Sequence, residues 1–286
     1  MSLRRSIPLI VCLTFCSITT ASAQRYAANV LYSNQPLPIY LGIDVGSGLT
    51  FWQHATPTYF ATTYPYAGTP DTIHVQFPSG ATPLFGFFAG ISADFWLSED
   101  WGIITKMNYN ERRGEWNATV NELADTNGVF VNVPVTSDLV WMLRCISLEA
   151  YARYSFHSLH DLYVGAGLAL TDIASDHYDL TQTLGGPPQF SFMDFRSGSG
   201  TGIRSYGIGG SLSPELHRFF GEFKLLAGFP FYISARWLLA PEITLGIPFT
   251  SIWNSTGQAD YQANGISNPT SPLTVTGLIA LKYQIR

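Results

Sequence analysis

Eight stretches of the chain alternate apolar with small or polar residues: 40–51, 85–96, 101–111, 140–156, 162–173, 219–232, 239–252 and 273–285. A period of two puts alternate side chains on opposite faces, so each stretch predicts a β-strand with one apolar face. The connections alternate in length. Short gaps at 97–100, 157–161 and 233–236 are interleaved with long ones at 53–83, 112–139, 174–218 and 253–272. An even number of strands with tight turns at one end and long loops at the other is the pattern of an outer-membrane barrel. The expected fold is therefore all-β: an eight-stranded antiparallel up-and-down transmembrane β-barrel over 39–286, with long extracellular loops and short periplasmic turns.

The sense of the two faces separates a membrane barrel from a soluble sandwich or a lipocalin-like ligand-binding barrel, which share the period. Phe85, Phe87, Ile91 and Phe95 oppose Gly86, Gly90, Ser92 and Asp94, and Ile243, Leu245 and Ile247 oppose Glu242, Thr244 and Gly246. Large apolar residues share one face; Gly, Ala and a few charges of both signs share the other, as a narrow crowded lumen requires. Nine charged residues fall on that inner face: Asp44, Asp94, Lys106, Glu149, Arg153, Glu222, Lys224, Glu242 and Lys282. An eight-stranded interior is only wide enough for side chains to fill, so these five acids and four bases are expected to pair as a luminal charge network.

Aromatics collect near the strand ends. Phe95, Trp96, Trp101, Tyr154, Phe156, Tyr163, Phe231, Tyr232 and Trp237 flank the tight turns, and Phe51, Trp52, Phe85, Trp141, Phe249 and Trp253 flank the long gaps. They are expected to form two girdles, about ten residues apart along each strand, as in a tilted membrane crossing. Two strands are less clean. The third strand contains Ile103-Ile104 and Lys106. Stretch 139–144 is apolar on both faces, and Arg144 shares the face of Ile146 and Leu148. Either Arg144 lies above the membrane or a bulge reverses the face there.

Composition narrows the class. Only 12% of the 286 residues are charged while 14% are aromatic, against roughly 25% charged in an ordinary soluble domain. A formal charge of −5 with no basic cluster beyond the Arg112 and Arg113 pair excludes a nucleic-acid surface. Arg4 and Arg5, an apolar run over 7–18 and Ala21-Ser22-Ala23 read as a secretory signal peptide over 1–23. A short periplasmic segment, 24–38, then leads into the barrel. Cleavage removes Cys12 and Cys16 and leaves Cys145, expected to be a small packed residue.

Tyr163-Val164-Gly165-Ala166-Gly167-Leu168, Phe231-Tyr232-Ile233-Ser234 ahead of Leu239-Ala240-Pro241-Glu242, and the closing Leu281-Lys282-Tyr283 carry a family resemblance. In this placement of glycines and aromatics, from about 40 to 286, the chain resembles the PorT-type family of small outer-membrane β-barrel domains of Bacteroidetes and relatives. The resemblance implies an eight-stranded barrel in the cell outer membrane, with lipid and the barrel assembly machinery as partners. The closing Tyr283-Gln284-Ile285-Arg286 departs from the terminal aromatic that such machinery reads in many barrels.

No catalytic, cofactor or metal motif stands out. His157-Ser158-Leu159-His160-Asp161 reads as a polar turn. Asp172, Asp176, His177 and Asp179, at the mouth of the third long gap, offer a carboxylate and imidazole pair that could activate water. Gly198-Ser199-Gly200-Thr201-Gly202 and Gly207-Ile208-Gly209-Gly210 lack the lysine and helix of a phosphate loop, and a further strand is expected at about 206–212. Asn117 and Asn254 open chance matches to glycosylation acceptors. The expected function is a non-enzymatic outer-membrane barrel with a structural or surface-interaction role, through an extracellular or envelope protein partner of unspecified identity. A secretion-associated barrel or narrow pore, an outer-membrane hydrolase and a soluble ligand-binding barrel are the alternatives.

Overall fold

The computed structural model of the chain describes residues 37–53, 59–63, 71–75, 80–126, 129–156, 161–186, 191–192, 203–209, 216–263 and 271–285. The expected signal peptide and nearly all of the expected segment before the barrel lie outside these residues. In chain order the elements are β1 (Ile39–Gln53), β2 (Tyr59–Thr63), β3 (Asp71–Val75), β4 (Thr82–Trp96), β5 (Trp101–Thr126), β6 (Val129–Phe156) and β7 (Leu162–Leu184). They continue with β8 (Ser191–Phe192), β9 (Ile203–Gly209), β10 (Phe219–Gly228), β11 (Phe231–Tyr232), β12 (Trp237–Pro248), α1 (Ser255–Ala263) and β13 (Ser271–Gln284).

Eight of these strands close on themselves. The ring runs β1–β4–β5–β6–β7–β10–β12–β13 and back to β1, every contact antiparallel. Neighbours in the ring follow one another along the chain apart from the short insertions, so the connectivity is up-and-down. Closure leaves no ladder edge within the ring, the condition for strands to sit in hydrocarbon. The exterior carries Leu41, Ile43, Val45, Phe87, Ile91, Met107, Leu148, Leu168, Leu225, Ile243 and Ile279, all exposed. An apolar belt far larger than a soluble monomer leaves bare is the lipid-facing surface of a transmembrane barrel.

The tight turns at 97–100 and 233–236 connect β4 to β5 and β11 to β12 as the spacing predicts. The turn at 157–161 lies outside the described residues except for Asp161, which takes φ 64.

The long gaps differ from the expectation. Much of 112–139 is strand: β5 and β6 stay paired from Trp101↔Tyr154 to Thr126↔Val129. Likewise β7 runs on to Leu184, β9 pairs along it and β8 pairs β5. The expected extra strand exists as β9, beginning at Ile203. A crossing takes about 9–11 residues of strand, so β5, at 26 residues, continues far beyond one. These extensions alternate too, Trp116, Ala118 and Val120 against Asn117, Thr119 and Asn121, but with the apolar face inward, the reverse of the sense within the belt.

The girdles also need correction. Phe95, Trp101 and Trp237 at the turn end, and Phe51, Phe85 and Phe249 at the loop end, face outward. Trp52, Trp141, Trp253 and Tyr163 are buried inside, and Trp96 and Tyr232 pack on the inner cluster. Period alone placed these aromatics near the membrane interfaces without fixing their face. Arg144 is exposed on the outer face with Ile146 and Leu148, a dozen residues from the turn. A bulge does occur there, but on β7: Arg144 pairs Ser175 while Cys145 pairs Ile173, leaving Ala174 over. That extra residue switches the β7 face, so Ile173 and Asp176 both point inward.

Candidate functional site

Toward the turn end Tyr40, Ile104, Leu226 and Leu238 interleave with charged residues, Asp94 standing in register with Tyr40 and Ile104 and Lys282 with Leu238. Toward the loop end lies a tryptophan cluster. Inward positions on all eight strands supply these side chains, because each strand presents every second residue to the lumen.

All nine residues expected in the luminal network are buried, none more than 5% exposed. They fall into two groups. In the first, Lys106 Nζ bonds Asp44 Oδ2 at 2.9 Å and also Glu242. Lys282 Nζ bonds Glu242 Oε1 and Asp94 Oδ2, both at 2.8 Å, and Arg153 reaches Asp94 at 3.2 Å. Three bases and three acids thus form one chain of contacts. Ser92 donates to Asp44 at 3.0 Å and Tyr163 to Glu242 at 2.5 Å. The Arg153 guanidinium is held between the Trp96 and Tyr163 rings, 4.2 and 4.0 Å from their centres, a stacking that a planar cation permits.

The second group contains a residue absent from the expected nine. Arg112, 1% exposed, grips Glu222 through two parallel bonds of 2.9 and 2.7 Å. This bidentate geometry is the strongest form of the pair. Thr171 adds a 2.8 Å bond to Glu222, and Lys224 Nζ lies 3.5 Å from both Glu222 and Glu149. Tyr151 donates to Glu149. With Arg112 counted, the two groups hold three acids with three bases and two acids with two bases, and each is neutral. Balance matters because an uncompensated buried charge costs several kcal/mol. The Asn108 amide and Asp94 Oδ1 are buried without a partner in the structure.

Above Arg112 and Phe220, whose ring the guanidinium overlies at 4.9 Å, the lumen turns apolar. Trp141 stacks on Trp52 with ring centres 4.8 Å apart, and Trp116 and Trp253 lie 6.2 and 5.6 Å from Trp141. Leu139, Leu143, Cys145 and Ile252 complete this plug. It explains why 139–144 is apolar on both faces: Leu139, Trp141 and Leu143 of β6 are inward side chains of the plug. Cys145 is wholly buried, the packed residue expected.

The acidic and histidine candidates do not converge. Asp172 bonds exposed Arg218 at 3.0 Å on the exterior, Asp176 is buried on the inside, and His177 lies 3.2 Å from Asp179 on the exposed face of β7. The glycines at 198–202 and residues 157–160 lie outside the described residues. Asn254 caps α1, accepting from the Thr256 and Gly257 amides at 3.0 and 3.1 Å. Among the described residues no group of three or more His, Cys, Asp or Glu could hold a metal ion.

No protein-family model matches the chain, and no curated protein does. Several solved outer-membrane barrels resemble it in outline. Neisserial surface protein A matches at 11% identity and TM-score 0.36, over 86% of this chain and 97% of its own. CarO2 of Acinetobacter baumannii matches at 13% and 0.33, over 88% and 100%. Ail, the attachment invasion locus protein of Yersinia pestis, matches at 11% and 0.28, over 86% and 98%. At such scores the likeness adds nothing to the fold, which the strand register of this chain establishes by itself.

Proposed function

We propose that this chain is a non-enzymatic outer-membrane barrel that works at the cell surface, through the strands it raises above the membrane, with its lumen closed. The unbroken β5–β6 ladder carries this reading. About 15 residues of β5 remain once a crossing of ~11 residues is subtracted, and at ~3.3 Å per residue that is about 50 Å of strand. Joined by β7, β8 and β9, this ladder makes a raised sheet of the order β8–β5–β6–β7–β9. Filling the lumen with two neutral ion-pair groups and a tryptophan plug supports the same reading, since a transported solute would have to displace both. The signal-like N-terminus, the apolar belt and the PorT-type resemblance support location in the outer membrane, with lipid, the assembly machinery and a surface protein as partners.

The test is topology on intact cells. Epitope tags at Gly68, Asn127 and Gly265 are expected to be reached by antibody, and one at Ser158 is not; all four positions lie outside the described residues. The reverse labelling would invert the barrel, and recovery of native protein without detergent would remove it from the membrane.

A further inference from the structure

Within its strands, the exterior charges of the barrel are confined to one flank. Along β12, β13, β1 and β4 the charged residues are Glu242, Lys282, Asp44 and Asp94, and all four point inward. On the neighbouring flank, charges mark the upper rim of the apolar belt. Arg144 is exposed on β6, two residues above Ile146; Asp172 on β7 pairs in register with Ile146 and with Phe219 at the head of β10. Arg218, one residue above Phe219, bonds Asp172 with its side chain still 67% exposed. Asp172 thus lies beside Arg218, while Arg144, one strand away, stands in register with Ser175 on β7 and with Glu111 on β5.

Directly below Arg218 the belt is hollowed. A groove of about 600 Å³ lies between β7 and the loop ends of β10 and β12, walled by Leu168 and Leu170 on one side and by Phe219 and Phe249 on the other. That volume falls in the ~300–1,000 Å³ range of small-molecule sites. Gly221 is why it exists: the Phe249 ring lies across this residue, where any side chain would strike it. His217 and Thr250 add polar groups at the upper rim.

We propose that this flank binds a phosphorylated glycolipid of the outer leaflet, of the lipid A class, with an acyl chain in the groove and a phosphate at the Arg218 guanidinium, Arg144 being the second cation of the same rim. A planar guanidinium matches a phosphate through paired bonds. An acyl chain suits a groove whose walls are four apolar side chains, and the two features are vertically continuous at Phe219. Asp172 orients Arg218 and competes with the phosphate for it. The site rests on the outer-membrane reading given above.

The test uses full-length protein refolded in detergent, where lipid retention is measured by native mass spectrometry, so its outcome is independent of cellular location. Bisphosphorylated lipid A is expected to be retained about tenfold better than the same lipid dephosphorylated, the size of one charge-assisted hydrogen bond. Arg144→Ala with Arg218→Ala should abolish that preference. Asp172→Asn should enhance it, which a merely structural role for Asp172 would not do. Phe249→Ala should weaken both lipids alike, and Phe85→Ala on the bare flank neither. Folding of each variant is checked by its shift in gel migration on heating. Equal retention of the two lipids by the wild type, or an unchanged preference in the double arginine variant, would overturn the site. So would displacement of the lipid by equimolar inorganic phosphate, which would show that the groove contributes nothing. Loss of the outer-membrane reading would appear separately, in the topology experiment.

Discussion

Glu242 is the residue through which the charge-balance argument can be tested hardest. Its carboxylate, 4% exposed, bridges Lys106 and Lys282 and accepts from Tyr163. Glu242→Ala leaves Lys106 with Asp44 and Lys282 with Asp94, but Asp94 also serves Arg153. Three cations then face two carboxylates in a sealed interior. Breaking a buried pair in this way costs about 3–5 kcal/mol, and Tyr163 loses its acceptor as well. The exterior pair Asp172–Arg218 offers the contrast, since an exposed bridge contributes at most about 1 kcal/mol. Urea unfolding of the refolded barrel, followed by tryptophan emission, should place Glu242→Ala several times further from wild type than Asp172→Ala. A second variant separates charge from packing. Adding Lys282→Met to Glu242→Ala leaves Lys106 paired with Asp44 and Arg153 with Asp94, two acids against two bases, so the double variant should be more stable than Glu242→Ala alone. Equal losses for Glu242→Ala and Asp172→Ala would refute the neutral-network reasoning, and so would a double variant whose loss equals the sum of its parts.

The purified wild type should show no large steady conductance in planar bilayers; stable, ohmic, porin-sized steps would reject the closed lumen. Cys145, wholly buried beneath the plug, should resist a maleimide in the folded barrel and react once urea unfolds it, whereas rapid labelling of folded protein would place a solvent path beside Ile173. Trp141→Ala removes the ring against which Trp52 and Trp253 pack and should cost about 3–5 kcal/mol. It should nevertheless leave the bilayer silent, because the ion pairs beneath are untouched; conductance in this variant alone would assign the seal to the tryptophans.

How far the sequence was legible follows from where the lipid is. Within the belt the solvent outside is hydrocarbon and the lumen is narrow, so both faces of Phe85–Asp94 or Ile243–Glu242 are chemically constrained, and the period identifies strand and face together. Beyond the belt only the inner face is constrained. There β5 and β6 alternate in the opposite sense, Trp116, Ala118 and Val120 inward against Asn117, Thr119 and Asn121, so a pattern of outward apolar faces does not mark their extension. Arg112 shows the consequence for the site. It stands beside Arg113, and two adjacent arginines at the end of an apolar stretch resemble the start of a solvated loop; yet strand alternation sends one inward and the other out. Arg112 is 1% exposed on Glu222, whereas Arg113 lies on the exterior face, in register with Met142. One signal could have found it: five acids against four bases on the expected inner face left one acid short of a base. If that reasoning holds, neighbouring and chemically identical residues must differ sharply. Arg112→Ala leaves Glu222 only Lys224, at 3.5 Å, among the bases, and should destabilise the barrel by about as much as Glu242→Ala, ~3–5 kcal/mol. Arg113→Ala should fall within about 1 kcal/mol of wild type. Urea midpoints measured side by side decide it, and similar losses for the two arginines would mean that the second ion-pair group does not hold the lumen together.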